Sequence, residues 1–290
     1  MLVTHTSPDW DAIGFLWLMR RYDPQTLDMD IAFVNTGAPD LALLAGAYAV
    51  GDTGKVYDPD RLRFDHHDVP GLDGDSTCAT KLCYSYFYDR GIAEAAIYPI
   101  IQLILDGDTG KPGARQSQLT GIHALLKAEK YHGMGNRELA QWGFRILDEL
   151  AGNLIRYRNA VDMVARHTVY SSNDGRVVAL HEAPKECADI ALESGADLVL
   201  YYRHNERTNG YKRGVLRRPE SGIHTGRLID LAYRFTTDHA LIEIGRELEI
   251  WYRHGSGFYS GKGTSKAPYY EPMTVSITAI AGLIDGVYDR

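Results

Sequence analysis

The sequence begins Met1-Leu-Val-Thr-His5-Thr-Ser-Pro-Asp9-Trp-Asp11-Ala-Ile-Gly14, and this stretch decides the fold. Residues 1–6 predict a short buried strand. Ser7-Pro-Asp9 is typical of a helix start, and the helix is placed at residues 10–22. A strand followed directly by a helix favours a parallel α/β sheet, whose ligands bind at the carboxyl ends of the strands. The imidazole and two carboxylates of this stretch therefore lie where a ligand site is expected.

The hydrophobic pattern beyond this stretch predicts an α/β fold in two domains. Strands are predicted at 30–35, 47–51, 176–181, 197–204 and 211–216, and helices across most of 78–166 and near 185–194, 227–240 and 274–288. The strand pattern resumes after Ser171-Ser-Asn-Asp-Gly175, so the boundary is placed near residue 170. Residues 1–170 are predicted to form a parallel-sheet domain, and residues 171–290 a smaller α/β domain.

Composition indicates an ordinary soluble globular chain. Hydrophobic residues make up 44% of the 290 residues and charged residues 24%. The three cysteines form no CxxC pair, which fits a reducing compartment. No targeting segment and no apolar run of membrane-spanning length is recognisable, so a cytoplasmic protein without a membrane contact is expected.

Charge is unevenly distributed. The net charge is -7, which argues against a general binder of duplex DNA. Residues 200–266, however, hold 12 Lys/Arg against 7 Asp/Glu. A basic segment on an acidic protein suits a small or single-stranded phosphate substrate, although a solvated surface would give the same pattern.

Three further motifs hold the side-chain types that bind metals. They are Gly51-Asp52-Thr-Gly54, Arg63-Phe-Asp65-His66-His67-Asp68 and Leu105-Asp106-Gly107-Asp108-Thr-Gly110. Each has a plain alternative as a turn or a helix end, as Asp9 and Asp11 do as helix caps. Neighbouring histidines on an extended chain point to opposite sides, so His66 and His67 are expected to differ in role. Asp65 is expected to hold a histidine ring nitrogen.

Together the four motifs supply the ligands for two metal ions. Four aspartates would offset the charge of two divalent ions: three from the first two motifs, and either Asp106 or Asp108. Two imidazoles add nitrogen ligands. Mixed oxygen and nitrogen ligands favour Mn²⁺, with Mg²⁺ as the alternative and Zn²⁺ disfavoured. Such a pair can activate a hydroxide for in-line attack on phosphorus.

These motifs resemble those of the DHH phosphoesterases, which include RecJ nucleases, nanoRNA hydrolases and family II inorganic pyrophosphatases. The first motif and Asp65-His66-His67 are similar to two motifs of that superfamily. The stretch from Gly51 to His67, and Thr80-Lys-Leu82 after it, resemble the MYG-type branch of metal-dependent exonucleases.

The resemblance implies a two-domain phosphoesterase with a Mn²⁺ pair. His67 would contact the scissile phosphate with Asp65 beside it, and Asp108, followed by threonine, fits the last motif better than Asp106. The residues that would bind the metal ions are His5, Asp9, Asp11, Asp52, His66 and Asp108.

The C-terminal half is expected to grip the substrate. The segment Tyr202–Arg218 contains six Lys/Arg, and Arg203, Arg207 and Lys212 together with Tyr201, Tyr202 and Tyr211 could hold a phosphate backbone and its bases. Arg253-His-Gly-Ser-Gly-Phe-Tyr-Ser-Gly261 resembles the glycine-rich segment of the same branch. The residues predicted to contact substrate are Arg213, Arg217, Arg218, His254, Gly255 and Gly257.

Three functions compete on this sequence. The first is a hydrolase of single-stranded or short oligonucleotides. The second is a small-phosphate hydrolase acting on pyrophosphate, a cyclic dinucleotide or a mononucleotide. The third is a non-catalytic metal-binding protein. The expected binding partner is accordingly an oligonucleotide or a small phosphoester substrate. The sequence is also compatible with an oligomer of this chain.

Overall fold

The computed structural model describes residues 1–74, 76–111, 119–206, 209–238, 241–257, 259–262 and 272–288, without the side chains of 237 and 238. The chain divides into two compact units, Met1–Ile155 and Arg156–Arg290. The sequence pattern placed the boundary near residue 170, whereas this division falls within a helix that runs without a break from Asn136 to His167. A helix interior carries no composition signal for a boundary, since its hydrophobic period continues across it.

The first unit contains a five-stranded sheet. Its strands are β1 (Leu2–His5), β2 (Ile31–Val34), β3 (Ala49–Gly51), β4 (Tyr57–Asp58) and β5 (Arg63–Phe64), in the order β2-β1-β3-β5-β4. All neighbours are parallel except β4 and β5. The predicted parallel sheet is thus confirmed, with one short antiparallel edge strand added.

Among the described residues of this unit, six helices have defined bounds. They are α1 (Trp10–Tyr22), α2 (Leu41–Gly46), α3 (Ala79–Asp89), α4 (Tyr98–Asp108), α5 (Ile122–Tyr131) and α6 (Asn136–His167). Short 3-10 turns occupy Pro24–Thr26, Pro59–Arg61 and Ala95–Ile97. The hydrophobic core lies between the sheet and α1, α3 and α4.

Helix α1 is the central element of the core, because every residue from Trp10 to Met19 is buried. A helix that is apolar all round must be covered on every side. Gly14 makes this close packing feasible: a Cβ there would lie 2.3 Å from Thr80 Oγ1 and 2.9 Å from Ile104 Cδ1. The close neighbours of Gly14 thus belong to α3 and α4 and not to the sheet.

Substituting Gly14→Ala is expected to lower stability. Alanine favours a helix by about 1 kcal/mol over glycine, but overpacking a filled core costs about 1–3 kcal/mol. The clash should win, because Thr80 is buried and hydrogen-bonded and cannot move aside freely. Chemical denaturation should show a lower midpoint. Gly46→Ala is the matched control, since nothing lies within 4 Å of that Cβ position, and a drop of equal size there would contradict the packing argument.

The second unit contains a six-stranded mixed sheet. Its strands are β6 (Thr168–Ser171), β7 (Val177–His181), β8 (Leu198–Asn205), β9 (Gly210–Arg217), β10 (Tyr252–Arg253) and β11 (Tyr259–Lys262), in the order β10-β11-β9-β8-β7-β6. Only β7 and β8 are parallel among these pairs. The helices are α7 (Lys185–Glu193), α8 (Thr225–Asp238), α9 (Ile242–Glu249) and α10 (Ile277–Tyr288), with a 3-10 turn at Pro219–Ser221.

The two faces of this sheet carry separate cores. Leu198, Leu200 and Val215 pack with residues of α8, α9 and α10 on one face. Leu180 and Val199 pack with α7 and the end of α6 on the other. Strand residues point alternately to the two faces, so neighbours in sequence enter different surroundings. Within the described parts of both units, no helix has the length and apolarity that crossing a membrane requires.

Candidate metal centre

His5 and Asp9 stand at the junction of β1 and α1. Asp9 is the N-cap of α1, and its Oδ1 accepts hydrogen bonds from the backbone N–H groups of Asp11 (2.9 Å) and Ala12 (3.1 Å). The same oxygen lies 3.8 Å from His5 Nε2. The helix-cap role and proximity to the imidazole are thus both present on the same carboxylate oxygen.

Asp52 completes a first group with these two residues. It follows β3 directly, and its Oδ2 lies 3.0 Å from His5 Nε2. Its φ of 56° is left-handed, a conformation that costs energy for a residue other than glycine and is often found at functional sites. The turn that begins as β3 ends therefore holds a buried carboxylate against the end of β1.

A second group consists of Asp11, His66 and Asp108. His66 Nε2 lies 3.7 Å from Asp11 Oδ2 and 3.7 Å from Asp108 Oδ2. It also lies 3.6 Å from Asp52 Oδ1, the oxygen that does not face His5. Asp52 therefore stands between the two groups, with Oδ2 toward His5 and Oδ1 toward His66.

Asp11 is held by the start of α3. Its carboxylate accepts hydrogen bonds from the N–H groups of Ala79 (2.8 Å) and Thr80 (2.7 Å), and Thr80 Oγ1 donates to its carbonyl (2.7 Å). Helix α3 has Cys78 at its N-cap with no side-chain cap, so these N–H groups need an acceptor from elsewhere. The apolar N-cap was the signal in the sequence for this contact, which the motif analysis did not find.

The groups are electrostatically unfavourable without a cation. Burial, Asp52 and Asp108 together raise the pKa of Asp11 well above its usual value. Burial also raises the pKa of Asp108, to about 6, with Asp52 adding to the effect. His5 is buried, which alone would lower its pKa, but its hydrogen bonds to Asp52 and Asp9 raise the pKa to about 11. Positive charge is therefore favoured throughout this cluster.

Two buried atoms of the cluster, Asp52 Oδ1 and His66 Nε2, have no hydrogen-bond partner within the described parts of the chain. An unsatisfied buried polar atom is costly, and these two face each other across the gap between the groups. Divalent cations would satisfy both. Cys78 lies beside Asp11, and burial together with that carboxylate raises the pKa of its thiol, which disfavours the thiolate form that binds metals. The residues thus fit a pair of cations that prefer oxygen and nitrogen.

The structure separates the two aspartates at the end of α4. Asp108 belongs to the second group, whereas Asp106 accepts a hydrogen bond from Gln102 Nε2 (2.6 Å) and lies 3.4 Å from Lys111 Nζ. These contacts leave Asp106 outside the cluster, and the choice of Asp108 as the metal ligand stays a prediction.

The two adjacent histidines lie on the same side of the chain. Their ring centroids are 4.1 Å apart, which corrects the expectation that they point to opposite sides. That expectation assumed an extended strand, but β5 ends at Phe64 and the pair follows it. Exposure still distinguishes them, because 9% of the His66 side chain is exposed and 53% of the His67 side chain.

Asp65 orients His67. Its Oδ1 accepts hydrogen bonds from His67 Nδ1 (2.8 Å) and from the His67 backbone N–H (3.0 Å), and its Oδ2 accepts one from the Lys55 N–H (2.6 Å). The hydrogen bond from Asp65 is the main reason that the pKa of His67 rises to about 9. The ring is therefore cationic near neutral pH and leaves Nε2 for another partner.

Helix α5 supports the site in a way that the motifs did not reveal. A Cβ on Gly107 would lie 1.8 Å from His123 Nε2, so this imidazole packs on the backbone beside Asp108. Burial lowers the pKa of His123. Lys130 Nζ donates to the Ser7 carbonyl (2.8 Å), in the turn between His5 and Asp9. The only signal in the sequence was a glycine inside the apolar helix α4.

Arg213, predicted to contact substrate, is buried in the second unit. Only 1% of its side chain is exposed, and its guanidinium pairs with Glu247 through two contacts, Nη2 to Oε2 at 3.0 Å and Nε to Oε1. Trp251 Nε1 also donates to Glu247 (2.8 Å). This placement corrects the prediction, because strand alternation turns Arg213 toward the face covered by α8–α10.

Substituting Arg213→Ala is therefore expected to reduce stability and not a substrate contact. Removing one partner leaves the Glu247 charge buried and uncompensated, which typically costs about 3–5 kcal/mol. Chemical denaturation of Arg213→Ala should show this loss, and the double variant with Glu247→Gln should recover part of it. A fully stable Arg213→Ala would contradict the structural role.

Arg217 and Arg218 are half-buried and engaged at the end of β9. Arg217 Nη1 donates to the carbonyls of Arg218 (3.1 Å) and Pro219 (2.6 Å). Arg218 Nη2 pairs with the buried Asp197, which also accepts from Arg176 Nε (2.6 Å). These contacts fix the chain after β9, and a role in substrate binding stays a prediction. Arg207 of the same basic segment lies outside the described residues.

His254–Gly257 forms the tight turn between β10 and β11. The Gly257 N–H donates to the His254 carbonyl (2.9 Å), and the Ser256 N–H donates to His254 Nδ1 (3.3 Å). Gly257 has a φ of 68° and packs against His224, so glycine is required there. The turn thus uses two of its N–H groups internally, and an anion contact by His254, Gly255 or Gly257 stays a prediction.

No protein-family model matches the chain, and no curated protein matches it. Fourteen chains of solved structures are similar to it, including the following two. One is the pGpG-specific phosphodiesterase PggH from Vibrio cholerae, with 15% identity over 86% of this chain and 98% of that chain, at a TM-score of 0.37. The other is RecJ in complex with Mn²⁺ from Thermus thermophilus, with 12% identity and a TM-score of 0.33. The match covers all of this chain, which spans 52% of that RecJ chain.

Both solved structures are distant from the chain, and the α/β fold is visible in the chain's own two sheets. The function proposed below therefore rests on the residues of the candidate metal centre.

Proposed function

We propose that this chain is a metal-dependent phosphoesterase of the DHH superfamily. The observation that carries the proposal is the pair of Asp/His groups that share Asp52. Four motifs spread over about a hundred residues of sequence supply these side chains, and each motif follows a strand or lies at the end of a helix. Ordinary turns and caps would have no reason to converge on one point with two unsatisfied buried atoms.

Two divalent cations fit this centre, and Mn²⁺ is proposed with Mg²⁺ as the alternative. His5, Asp9 and Asp52 would hold one ion, and Asp11, His66 and Asp108 the other, with Asp52 shared between them. Bound there, the ions would activate water and offset the charge of a phosphoryl group.

Two further polar residues of the site are proposed to bind the substrate phosphate and to orient the group that binds it. His67 is proposed to donate a hydrogen bond from Nε2 to a phosphate oxygen. Its cationic ring is exposed, and it lies next to the metal centre because Nδ1 is 3.5 Å from Asp52 Oδ1. Asp65 fixes that ring by accepting from Nδ1. Asp9 and Asp11 are themselves held by backbone N–H groups, so the ligand positions are set before an ion binds.

The proposed substrate is a single-stranded or short oligonucleotide. The basic residues of β8 and β9 favour it, while the acidic balance of the remaining chain also permits a small phosphate such as pyrophosphate. The experiment is a hydrolysis panel with Mn²⁺ that contains pyrophosphate, dinucleotides, and longer RNA and DNA oligomers. Cleavage of oligonucleotides is expected. Cleavage of pyrophosphate alone would show that the substrate is a small phosphate and not an oligonucleotide. Bound metal without any turnover would favour the non-catalytic alternative.

Mn²⁺ affinity is expected to fall as the pH drops through about 6. The pKa of Asp108 is raised to about 6, mainly by burial, so below that pH its carboxyl is neutral and an incoming ion must displace a proton. Above that pH the carboxylate is free to bind. Calorimetric titrations with Mn²⁺ between pH 5 and 8 would measure this, and repeating them in buffers of different ionisation enthalpy would count the protons released. His5, whose pKa is raised to about 11, would release a proton at every pH of the series, so Asp108 is reported by an additional proton released below about pH 6. The absence of that additional proton would contradict the assignment of Asp108.

A further inference from the structure

The turn between β1 and α1 has a strained backbone. Its central residue, Ser7, has a φ of 53°, a left-handed conformation that is costly for a residue with a Cβ, and Pro8 follows it. Such a conformation persists only where the surrounding structure holds it. The turn connects His5 to Asp9, so its geometry sets how these two candidate ligands of the first group face each other.

The peptide group between Thr6 and Ser7 is held at both ends. Its carbonyl, on Thr6, accepts a hydrogen bond from His5 Nδ1 (2.8 Å). Its N–H, on Ser7, donates to Asn136 Oδ1 (3.0 Å) at the start of α6. A carbonyl can only accept, so His5 Nδ1 carries a proton and Nε2 is the nitrogen left for a metal ion. Asn136 therefore fixes the peptide group that sets the direction of the His5 ring.

The next peptide group along the chain is held from α5. Its carbonyl, on Ser7, accepts a hydrogen bond from Lys130 Nζ (2.8 Å), and Lys130 is half-buried near the end of that helix. Pro8 has no N–H with which to fix the chain on its other side. The contact from Lys130 therefore fixes the turn immediately before Asp9, which caps α1.

Helices α5 and α6 are themselves anchored to α1. Trp10 Nε1 donates to the Ile122 carbonyl at the start of α5 (3.0 Å), and the ring of Trp10 lies 5.7 Å from that of Trp142 on α6. A Cβ on Gly143 would lie 2.6 Å from Ile13 Cγ2, so α6 packs closely on α1. Side chains that project from packed helices hold their hydrogen-bond partners in one geometry.

The second group of candidate ligands has a different support. Asp11 is held by the N–H groups of Ala79 and Thr80 at the start of α3, and these contacts involve neither α5 nor α6. The two halves of the centre therefore depend on different helices, although Asp52 stands between them.

We propose that Asn136 and Lys130 are positioning residues for the ion of the first group, Asn136 through His5 and Lys130 through the turn that leads to Asp9. The proposal rests on the metal centre of the proposed function, and it adds that one ion can be lost without the other. Removing a residue that holds a metal ligand typically lowers metal affinity about 10–100-fold. Either loss should therefore leave a centre with one ion when Mn²⁺ is limiting.

The test is the number and affinity of the Mn²⁺ ions bound by the full chain, measured by elemental analysis and calorimetric titration. Wild type should bind a pair of ions. Asn136→Ala and Lys130→Met should each keep one tightly bound ion and bind the other about 10–100-fold more weakly. Electron paramagnetic resonance gives an independent signature, because an isolated Mn²⁺ ion shows resolved hyperfine lines that coupling within a pair broadens.

Conservative variants separate positioning from general stability. Asn136→Asp keeps an acceptor for the Ser7 N–H, and Lys130→Arg keeps a donor for the Ser7 carbonyl, so both variants should retain the pair of ions. The matched controls are Arg137→Ala and Lys127→Met, at exposed positions of the same two helices. Both controls should bind Mn²⁺ as wild type does.

Wild-type affinity for both ions in Asn136→Ala and Lys130→Met would overturn the inference, as would equal weakening of both ions or an equal loss in the controls. Tighter Mn²⁺ binding by Lys130→Met would show that the lysine charge repels the ion, and would overturn its positioning role. Absence of Mn²⁺ from wild type would refute the proposed metal centre and this inference with it. The two failures are distinguishable, because one is seen in wild type and the other only in the variants.

Discussion

Replacing His67 with alanine should reduce turnover by about 10²–10⁴-fold, the range that loss of a positioned donor or general acid–base group typically causes. Metal content should not change. The ring is 53% exposed, so its removal leaves no cavity, and Asp65 keeps two backbone N–H donors, from Lys55 and from residue 67. Elemental analysis and kcat measured on the same preparation would separate the two effects.

The control is His66→Ala, which removes the buried neighbour of the same pair. That variant should lose metal together with activity, because His66 is the only histidine of the second group. The structure also contains a grouping of Asp52, His66 and His67, in which His67 would itself be a ligand. Loss of metal in His67→Ala with full occupancy in His66→Ala would show that the roles are reversed.

The fold was largely predictable because its signals are local. Residues 1–22 show an apolar strand, a cap and an apolar helix in succession, and the structure has β1, Asp9 as N-cap and α1 at those places. The elements that escaped prediction are short or weakly patterned. Strands β4, β5 and β10 have two residues each, too few to show an alternation.

The convergence of the candidate ligands was predictable from the sequence. The residues that hold those ligands in place were less predictable. A parallel sheet brings strand ends together at one edge, so residues that follow β1, β3 and β5 had to meet. The hydrogen bonds from Ala79 and Thr80 to Asp11, and the packing of His123 on Gly107, depend on which helices lie next to each other. That information is tertiary and leaves no short-range pattern.

The basic segment shows the limit of counting charges. Arg203, Lys212 and Arg213 look alike in sequence, yet one step along β9 separates a cavity lining from a buried ion pair. The period of two predicts that Lys212 and Arg213 point to opposite faces. It does not predict which face is buried under α8–α10, because that depends on helices that follow 220 in the sequence.

The substitution Asp52→Asn should have the largest effect on metal binding. Asp52 is the side chain shared by both groups, so one change removes a charged oxygen from each. The loss of affinity should exceed the roughly 10–100-fold that follows from losing a group that merely supports a ligand. Asparagine tolerates the left-handed backbone of residue 52 (φ 56°), so the turn after β3 should be preserved.

Thermal stability provides the measurement that separates this effect from misfolding. In wild type, Mn²⁺ should raise the melting temperature after chelation, because binding stabilises the folded state by mass action. Without metal, Asp52→Asn removes a negative charge that raises the pKa of both Asp11 and Asp108, but it also weakens the contact with His5, so the metal-free melting temperature of each variant serves as its own baseline. Adding Mn²⁺ should then change little. Asp106→Asn is the matched control on α4, because its contacts are with Gln102 and Lys111, and it should keep the full metal-dependent rise. An equal Mn²⁺ response in Asp52→Asn and wild type would mean that Asp52 does not bridge two ions, and the two-metal centre would lose the observation that defines it.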